Sequence, residues 1–372
     1  MRRRVSWVGS LLSITVVVLL APFWILWCPW ASSWRAHAYR SLMYDCLTQQ
    51  VALDDRSSEE LIEHLMQYVQ THIWSSPADV PYEGKPLRYL VRGVGWCDYM
   101  AKVLMRLLAM RGMPARYAML QDASGISPHT VAEVFYDGRW GVVDVLFGIR
   151  FVDAHGDPLT LEALSASPEL LEAQPTMAWL RQHRPVQAAH IQMLYTRFLP
   201  LPQPPRRSHS GTKRLTVFDR LLLHYARWGG PRFVAWYQDR YLAASGVARP
   251  STPSEHLRLA RHWHLAGRAD LAKAAYTSCL KEFSARAVQS EARFWLGLLQ
   301  WELEGNARGA HATFEALLAE NPDSRWGPMA RYYKGRGEKA LGQLDHALVS
   351  YRRAVEGGVL SVGEWVAELH HT

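Results

Sequence analysis

Cys97, His129 and Asp144 supply a thiol, an imidazole and a carboxylate, each in a setting that suits a nucleophile, its base and an orienting acid. A thiol attacks only as thiolate, and a neighbouring imidazole or a helix N-terminus favours that form. A carboxylate bonded to the imidazole would fix its tautomer and its orientation. Cys97 stands in Gly93-Val94-Gly95-Trp96-Cys97-Asp98-Tyr99-Met100-Ala101; His129 opens a β-rich run, and Asp144 closes the next one. Such a set would open a carboxamide or peptide carbonyl through a thioester. The backbone N–H of Cys97 is the natural first oxyanion donor, with Trp74 and Trp96 as candidates beside it.

The elements that must position these groups can be worked out from the pattern. Val131–Tyr136 and Arg139–Val145 read as strands joined by Asp137-Gly138, a strong two-residue hairpin signal. If Tyr136 pairs with Arg139, paired positions sum to 275 and Val131 faces Asp144. His129 shares a face with Val131, because side chains alternate along a strand. Asp144 is then the diagonal same-face neighbour of His129, within reach of a hydrogen bond unless a bulge intervenes. Cys97, Ala101, Leu104 and Leu108 fall on one helical face, with Lys102, Arg106 and Arg111 elsewhere. Gly112 is a left-handed stop for that helix, and Pro114 lies just beyond. Cys97 would thus open a helix, where the partial positive charge of the N-terminus favours a thiolate.

Taken together, Gly-Trp-Cys-Asp-Tyr-Met-Ala, Gly-Met-Pro-Ala-Arg, Ser-Pro-His, Asp-Gly-Arg-Trp and Val-Val-Asp, spread between Gly93 and Asp144, resemble the transglutaminase-like superfamily. The resemblance implies a papain-like α+β core with Cys97 on a helix and His129 and Asp144 on adjacent strands. It also implies a cysteine enzyme that acts as cross-linking acyltransferase, protease or deamidase, or a member that has lost activity. Val131 stands where many members carry an aromatic, and Val145 where proline is frequent; both departures bear on the substrate cleft.

The chain begins Met1-Arg2-Arg3-Arg4 and continues with an uncharged, mainly apolar run from Val5 to Trp30. Such a run exceeds the roughly 20 residues that cross a bilayer as helix. Trp24, Trp27, Trp30 and Trp34 gather at its far end like an interfacial belt. The expectation is a transmembrane anchor over residues 1–34 with a cytoplasmic N-terminus and an extracytoplasmic, periplasmic or cell-surface body. A cleaved signal peptide ending near Ala36-His37-Ala38 is the competing reading. Cys28 reads as an apolar boundary residue. The formal charge of +8 comes from scattered arginines. No basic run interleaved with aromatics appears, so nucleic acid is not an expected partner. Cysteines occur only at 28, 46, 97 and 279, without a CxxC pair, so neither a disulfide framework nor a zinc motif is read. The thiol chemistry itself needs no metal or organic cofactor.

Along the body, Ser57-Ser58-Glu59-Glu60 reads as a capping box for a helix carrying Leu61, Ile62, Leu65, Met66 and Val69. Asp153-Ala154-His155-Gly156-Asp157-Pro158 is a solvated turn leading to a helix near Thr160. The catalytic domain is expected over residues 35–198, a Pro-rich linker over 199–213, and a helical connector over 214–253. In that connector Trp228, Phe233, Trp236, Tyr237 and Tyr241 suit core packing more than a binding face. Residues 254–372 repeat. Gly267, Ala272 and Tyr276 recur as Gly305, Ala310 and Phe314 and as Gly342, Ala347 and Tyr351, the sets 38 and 37 residues apart. Cys279, Leu317 and Ala354 share the next position. These units resemble tetratricopeptide repeats, each a helix–turn–helix, with Trp365 and Leu369 in a capping helix.

The sequence therefore reads as an anchored α+β thiol enzyme with an all-α repeat stack behind it. It would hydrolyse peptide or amide bonds of a protein or peptide substrate, while the repeats hold a protein partner. The alternatives are a transamidating cross-linker built on the same core, and a non-catalytic membrane-tethered scaffold acting through its repeats.

Overall fold

The computed structural model describes residues 32–51, 57–75, 85–121, 127–198 and 215–357. By compactness the chain divides into two units: residues 46–214 with 251–372, and residues 1–45 with 215–250. The chain enters through helix α1 (Ser32–Val51) and helix α2 (Ser58–His72). Ser57 caps α2 through the expected box: its hydroxyl accepts from the Glu60 N–H, and the Glu60 carboxylate accepts from the Ser57 N–H. Next come strand β1 (Trp74–Ser75), helix α3 (Pro86–Arg92), strand β2 (Val94–Gly95) and helix α4 (Cys97–Met110). Four strands follow, β3 (Ala115–Leu120), β4 (His129–Tyr136), β5 (Arg139–Asp144) and β6 (Ile149–Arg150), paired antiparallel in that order. β1 and β2 form a separate parallel pair.

The hairpin register obeys the expected sum, from Tyr136↔Arg139 to Ala132↔Val143, with no bulge. Asp137 and Gly138 take left-handed φ values of 50° and 78°, as a tight turn matched to the twist of the strands requires. α4 packs on β3 and β4 and is buried along most of its length through Ala101, Val103, Leu104, Met105, Leu107 and Leu108. Gly112 ends it at φ 75°. Helices α5 (Leu161–Ala166), α6 (Pro168–Glu172), α7 (Pro175–His183) and α8 (Pro185–Arg197) then cover the sheet region. The Asp153 carboxylate accepts the N–H groups of His155 and Asp157, which makes that segment the turn its composition suggested.

Helix α9 (Val217–Ala244) belongs with the first part of α1 in the smaller unit. It bends at Gly230, next to Pro231. Its buried Asp219 accepts from Ser41 at 2.6 Å and meets His37 at 2.9 Å, while Tyr241 stacks on Tyr39. The aromatic residues of the connector are divided: Tyr237 is fully buried and Trp228 is 83% exposed.

The remaining described helices come in pairs: α10 (Pro253–Leu265) with α11 (Ala269–Glu282), α12 (Arg286–Glu302) with α13 (Ala307–Glu320), and α14 (Gly327–Ala340) with α15 (Leu344–Glu356). Gly267, Gly305 and Gly342 turn each pair with positive φ, and the recurring Ala and aromatic positions are all buried. A Cβ at Gly297 or Gly335 would stand 2.8 Å from the ring of Phe314 or Tyr351, so the small residues let paired helices approach. This helical region is compatible with repeats. Its core is continuous with that of the sheet, running from Leu120, Val131 and Val142 to Trp295, Phe314 and Trp326.

Two expectations need correction. The predicted span Val5–Trp30 lies outside the described residues, and no helix among the described residues is long and apolar enough to cross a membrane. The single-pass, extracytoplasmic placement of the body is withdrawn with that anchor. Among the described residues the fold is mostly helical with a small sheet rather than α+β behind a transmembrane helix, because the pairs after Pro253 and the helices around the sheet outweigh the short strands. The Pro-rich segment 199–213 and the expected capping helix with Trp365 and Leu369 likewise lie outside the described residues.

Candidate active site

Cys97 is the first residue of α4, held there by backbone geometry on both sides. Trp96 in extended conformation is the N-cap, and its carbonyl accepts from the N–H groups of Tyr99 and Met100. The N–H groups of the first turn have no partner within the helix, so partial positive charge gathers around the thiol. Upstream, Gly93 turns the chain at φ 74° out of α3, and its own N–H donates to Tyr89. No side chain could replace that hydrogen, since a Cβ would meet the Trp295 ring at 2.3 Å.

His129 and Asp144 meet as the register requires. His129 Nε2 lies 2.7 Å from Asp144 Oδ2, with both side chains buried. This bond leaves Nδ1 as the ring nitrogen able to face the thiol. Burial opposes protonation of His129, but the Asp144 charge and hydrogen bonds to Asp144 and Cys97 overcome it and raise the imidazole pKa from 6.5 to about 10. An imidazole that keeps its proton through neutral pH is a standing counter-ion for a thiolate.

Two groups that the sequence did not announce complete the surroundings of Asp144. The Tyr195 hydroxyl, from α8, donates to Asp144 Oδ2 at 2.7 Å, and the Phe147 N–H donates to Oδ1 at 3.2 Å. Burial, followed by the Asp144 charge, pushes the Tyr195 phenol well above its ordinary range, so it remains a donor. The rings of Phe147 and Tyr195 stand 5.2 and 6.4 Å from the His129 ring and confine it. The spacing of Ala188, Ile191 and Leu194 marks the inward face of α8, which could have placed Tyr195 near the core. Nothing local could have named its partner.

Sheet residues from the other motifs serve support. Arg116 on β3 pairs with buried Glu133 on β4 at 2.7 Å and lies over the Trp140 ring of β5 at 4.4 Å. One side-chain ladder thus fastens β3 to the two strands that carry the His–Asp pair. Of the other oxyanion candidates, Trp74 is half-buried on β1 with its backbone N–H donated to the Gly93 carbonyl, and Trp96 is 49% exposed beside Cys97. Side chains able to hold a metal converge elsewhere, at His72, His264 and Glu302.

A cysteine at a helix start, opposite a His–Asp pair on neighbouring antiparallel strands, defines a papain-like cysteine enzyme core. The matching family is the transglutaminase-like superfamily, whose model covers residues 46–145; this part of the chain is a transglutaminase-like superfamily domain. Among curated proteins, none matches the chain.

Proposed function

We propose that the domain is a thiol acyl-transfer enzyme that hydrolyses peptide or amide bonds, with Cys97 as nucleophile, His129 as acid and base, and Asp144 as the group that orients and charges His129. The observation that carries this reading is the buried 2.7 Å pair of His129 and Asp144, with the remaining ring nitrogen available to the thiol. The Cys97 thiolate attacks the substrate carbonyl, and the oxyanion forms near the first-turn N–H groups of α4. The His129 imidazolium gives its proton to the departing amine, leaving a thioester and a neutral imidazole. His129 then takes a proton from water, whose oxygen attacks the thioester and releases the acid. An amine in place of that water would give a cross-link instead.

The test is acyl-enzyme trapping. Full-length protein incubated with activated peptide amides should gain the acyl mass at Cys97, and the adduct should decay in water without an added amine. Decay only with an amine would favour the cross-linker. No adduct, together with thiol alkylation at Cys97 no faster than for a free cysteine and unchanged in His129→Ala, would end the enzyme reading.

A further inference from the structure

Outside the Cys97 site, three side chains from separate helices turn toward one point. His72 is the last residue of α2, His264 lies near the end of α10, and Glu302 is the last residue of α12. The two imidazoles are 0% and 2% exposed. Their Nε2 atoms lie 3.2 and 3.3 Å from the same carboxylate oxygen, Glu302 Oε2, and all three donor atoms fall within 4.8 Å of one another.

At those distances neither Nε2 completes a hydrogen bond. The ring axes therefore do not point at Oε2. Metal–nitrogen bonds of about 2.0–2.1 Å and metal–oxygen bonds of about 2.0–2.2 Å in a tetrahedron put neighbouring ligand atoms roughly 3.3–3.5 Å apart, with each lone pair aimed at the centre rather than at the next ligand. His72 Nδ1 is 3.0 Å from the Tyr68 carbonyl, which holds the ring so that Nε2 is the nitrogen on the Glu302 side. The outer Nδ1 of His264 lies 3.3 Å from the Tyr276 hydroxyl, so both rings are held in place from their outer nitrogens. Arg261 is the unfavourable neighbour, with Nη1 3.3 Å from His264 Nδ1. Its other ties are to the Leu90 carbonyl at 2.9 Å and the Trp295 ring at 3.6 Å.

We propose that His72, His264 and Glu302 bind one divalent transition-metal ion, zinc by donor type, which ties the first two repeat-like helix pairs to the last turn of α2 in the transglutaminase-like domain. The Glu302 side chain is 22% exposed, which gives the ion an entry path and leaves room for water as a fourth ligand. The ion takes no part in the thiol chemistry.

The experiment uses the tag-free full chain carrying Cys97→Ala, so that the thiol cannot compete, stripped with chelator and titrated with cobalt(II) and then zinc(II). One equivalent of cobalt should bind with the visible ligand-field absorption of a tetrahedral nitrogen–oxygen site and no thiolate-to-cobalt charge transfer, and zinc should displace it. Glu302→Gln and His264→Gln should each weaken binding by at least roughly 100-fold, since even outer-shell changes cost up to that much. Zinc should raise the melting temperature of the parent chain and not of Glu302→Gln. If either variant fails to fold, the cobalt spectrum and stoichiometry of the parent decide alone. Absence of stoichiometric binding, a thiolate charge-transfer band, or an affinity indifferent to Glu302→Gln in a folded chain would overturn the proposal. So would ring NMR that finds His72 protonated on both nitrogens with and without zinc.

Discussion

Replacing Asp144 by Asn changes one atom and tests the whole account of the site. The carboxylate accepts three hydrogen bonds, from His129 Nε2 and Tyr195 Oη at Oδ2 and from the Phe147 N–H at Oδ1. An amide cannot satisfy all three. With its oxygen toward His129 and Tyr195, its NH2 faces the Phe147 N–H; flipped, it confronts two donors at once. Losing charge assistance and leaving a buried donor unmatched should cost about 3–5 kcal/mol of stability. The larger effect is on the imidazole. In the parent chain its pKa rises from 6.5 to about 10 against the opposing effect of burial. That rise corresponds to roughly 5 kcal/mol in favour of the imidazolium. Because the folded value lies above the unfolded one, the stabilisation is fully present below about 6.5 and is lost as pH rises through about 10. In Asp144→Asn both Asp144 contributions are lost and only the Cys97 hydrogen bond and charge still oppose burial, so His129 should titrate well below the parent value of about 10. NMR titration of the ring reads this directly. Alkylation of Cys97 should slow in parallel, and the stability difference between parent and variant should shrink above about pH 10. A His129 that titrates near the parent value in folded Asp144→Asn would refute the reasoning, because the carboxylate would then not be what charges the ring.

Tyr195→Phe removes a single hydroxyl from the buried carboxylate and should cost about 1.5–3 kcal/mol by denaturation, with turnover or Cys97 labelling reduced roughly tenfold and substrate affinity unchanged. Gly93→Ala must place a Cβ against Trp295 at a left-handed φ of 74°, and should destabilise the chain by more than about 1–2 kcal/mol, measured as a fall in melting temperature. Arg116→Ala strands the buried Glu133 carboxylate and, since Arg116 is itself partly solvated, should cost about 1–3 kcal/mol; adding Glu133→Gln should recover part of that loss in a double-mutant cycle.

The His129–Asp144 pair and its hairpin were legible because their determinants are local. Asp137-Gly138 sets a two-residue turn, the turn sets the register, and the register alone places Asp144 diagonally from His129. The Ser57 box and the Gly112 stop were legible for the same reason. Tyr195 was not, since its partner lies 51 residues away and an inward-facing tyrosine carries no sign of what its hydroxyl meets. The glycines before Cys97 illustrate a subtler limit. The ring that presses on Gly93 comes from a helix some 200 residues later in the chain, so glycine type alone could not name it. The N-terminal hydropathy suggested an anchor. Hydropathy reports apolar content, and a membrane assignment needs a span that is also a long helix; among the described residues there is none.

The repeat-like helices are better understood as part of the frame of the transglutaminase-like domain than as an appendage. Arg261 of α10 reaches the Leu90 carbonyl in α3, the helix that delivers the chain to Gly93 and then to Cys97. The Tyr332 and Tyr333 hydroxyls of α14 meet Gln67 at 3.0 Å and Thr71 at 3.2 Å on α2, so the same stack also grips the other helix that precedes the nucleophile. Trp295 touches both Gly93 and Arg261. Loosening this contact frees the turn ahead of α4 while leaving the His129–Asp144 hairpin untouched, because the hairpin is fixed by its own strands. Thiol position and imidazole charge are therefore separable: a change at Trp295 should alter the reactivity of Cys97 without moving the titration of His129 by the amount Asp144→Asn does.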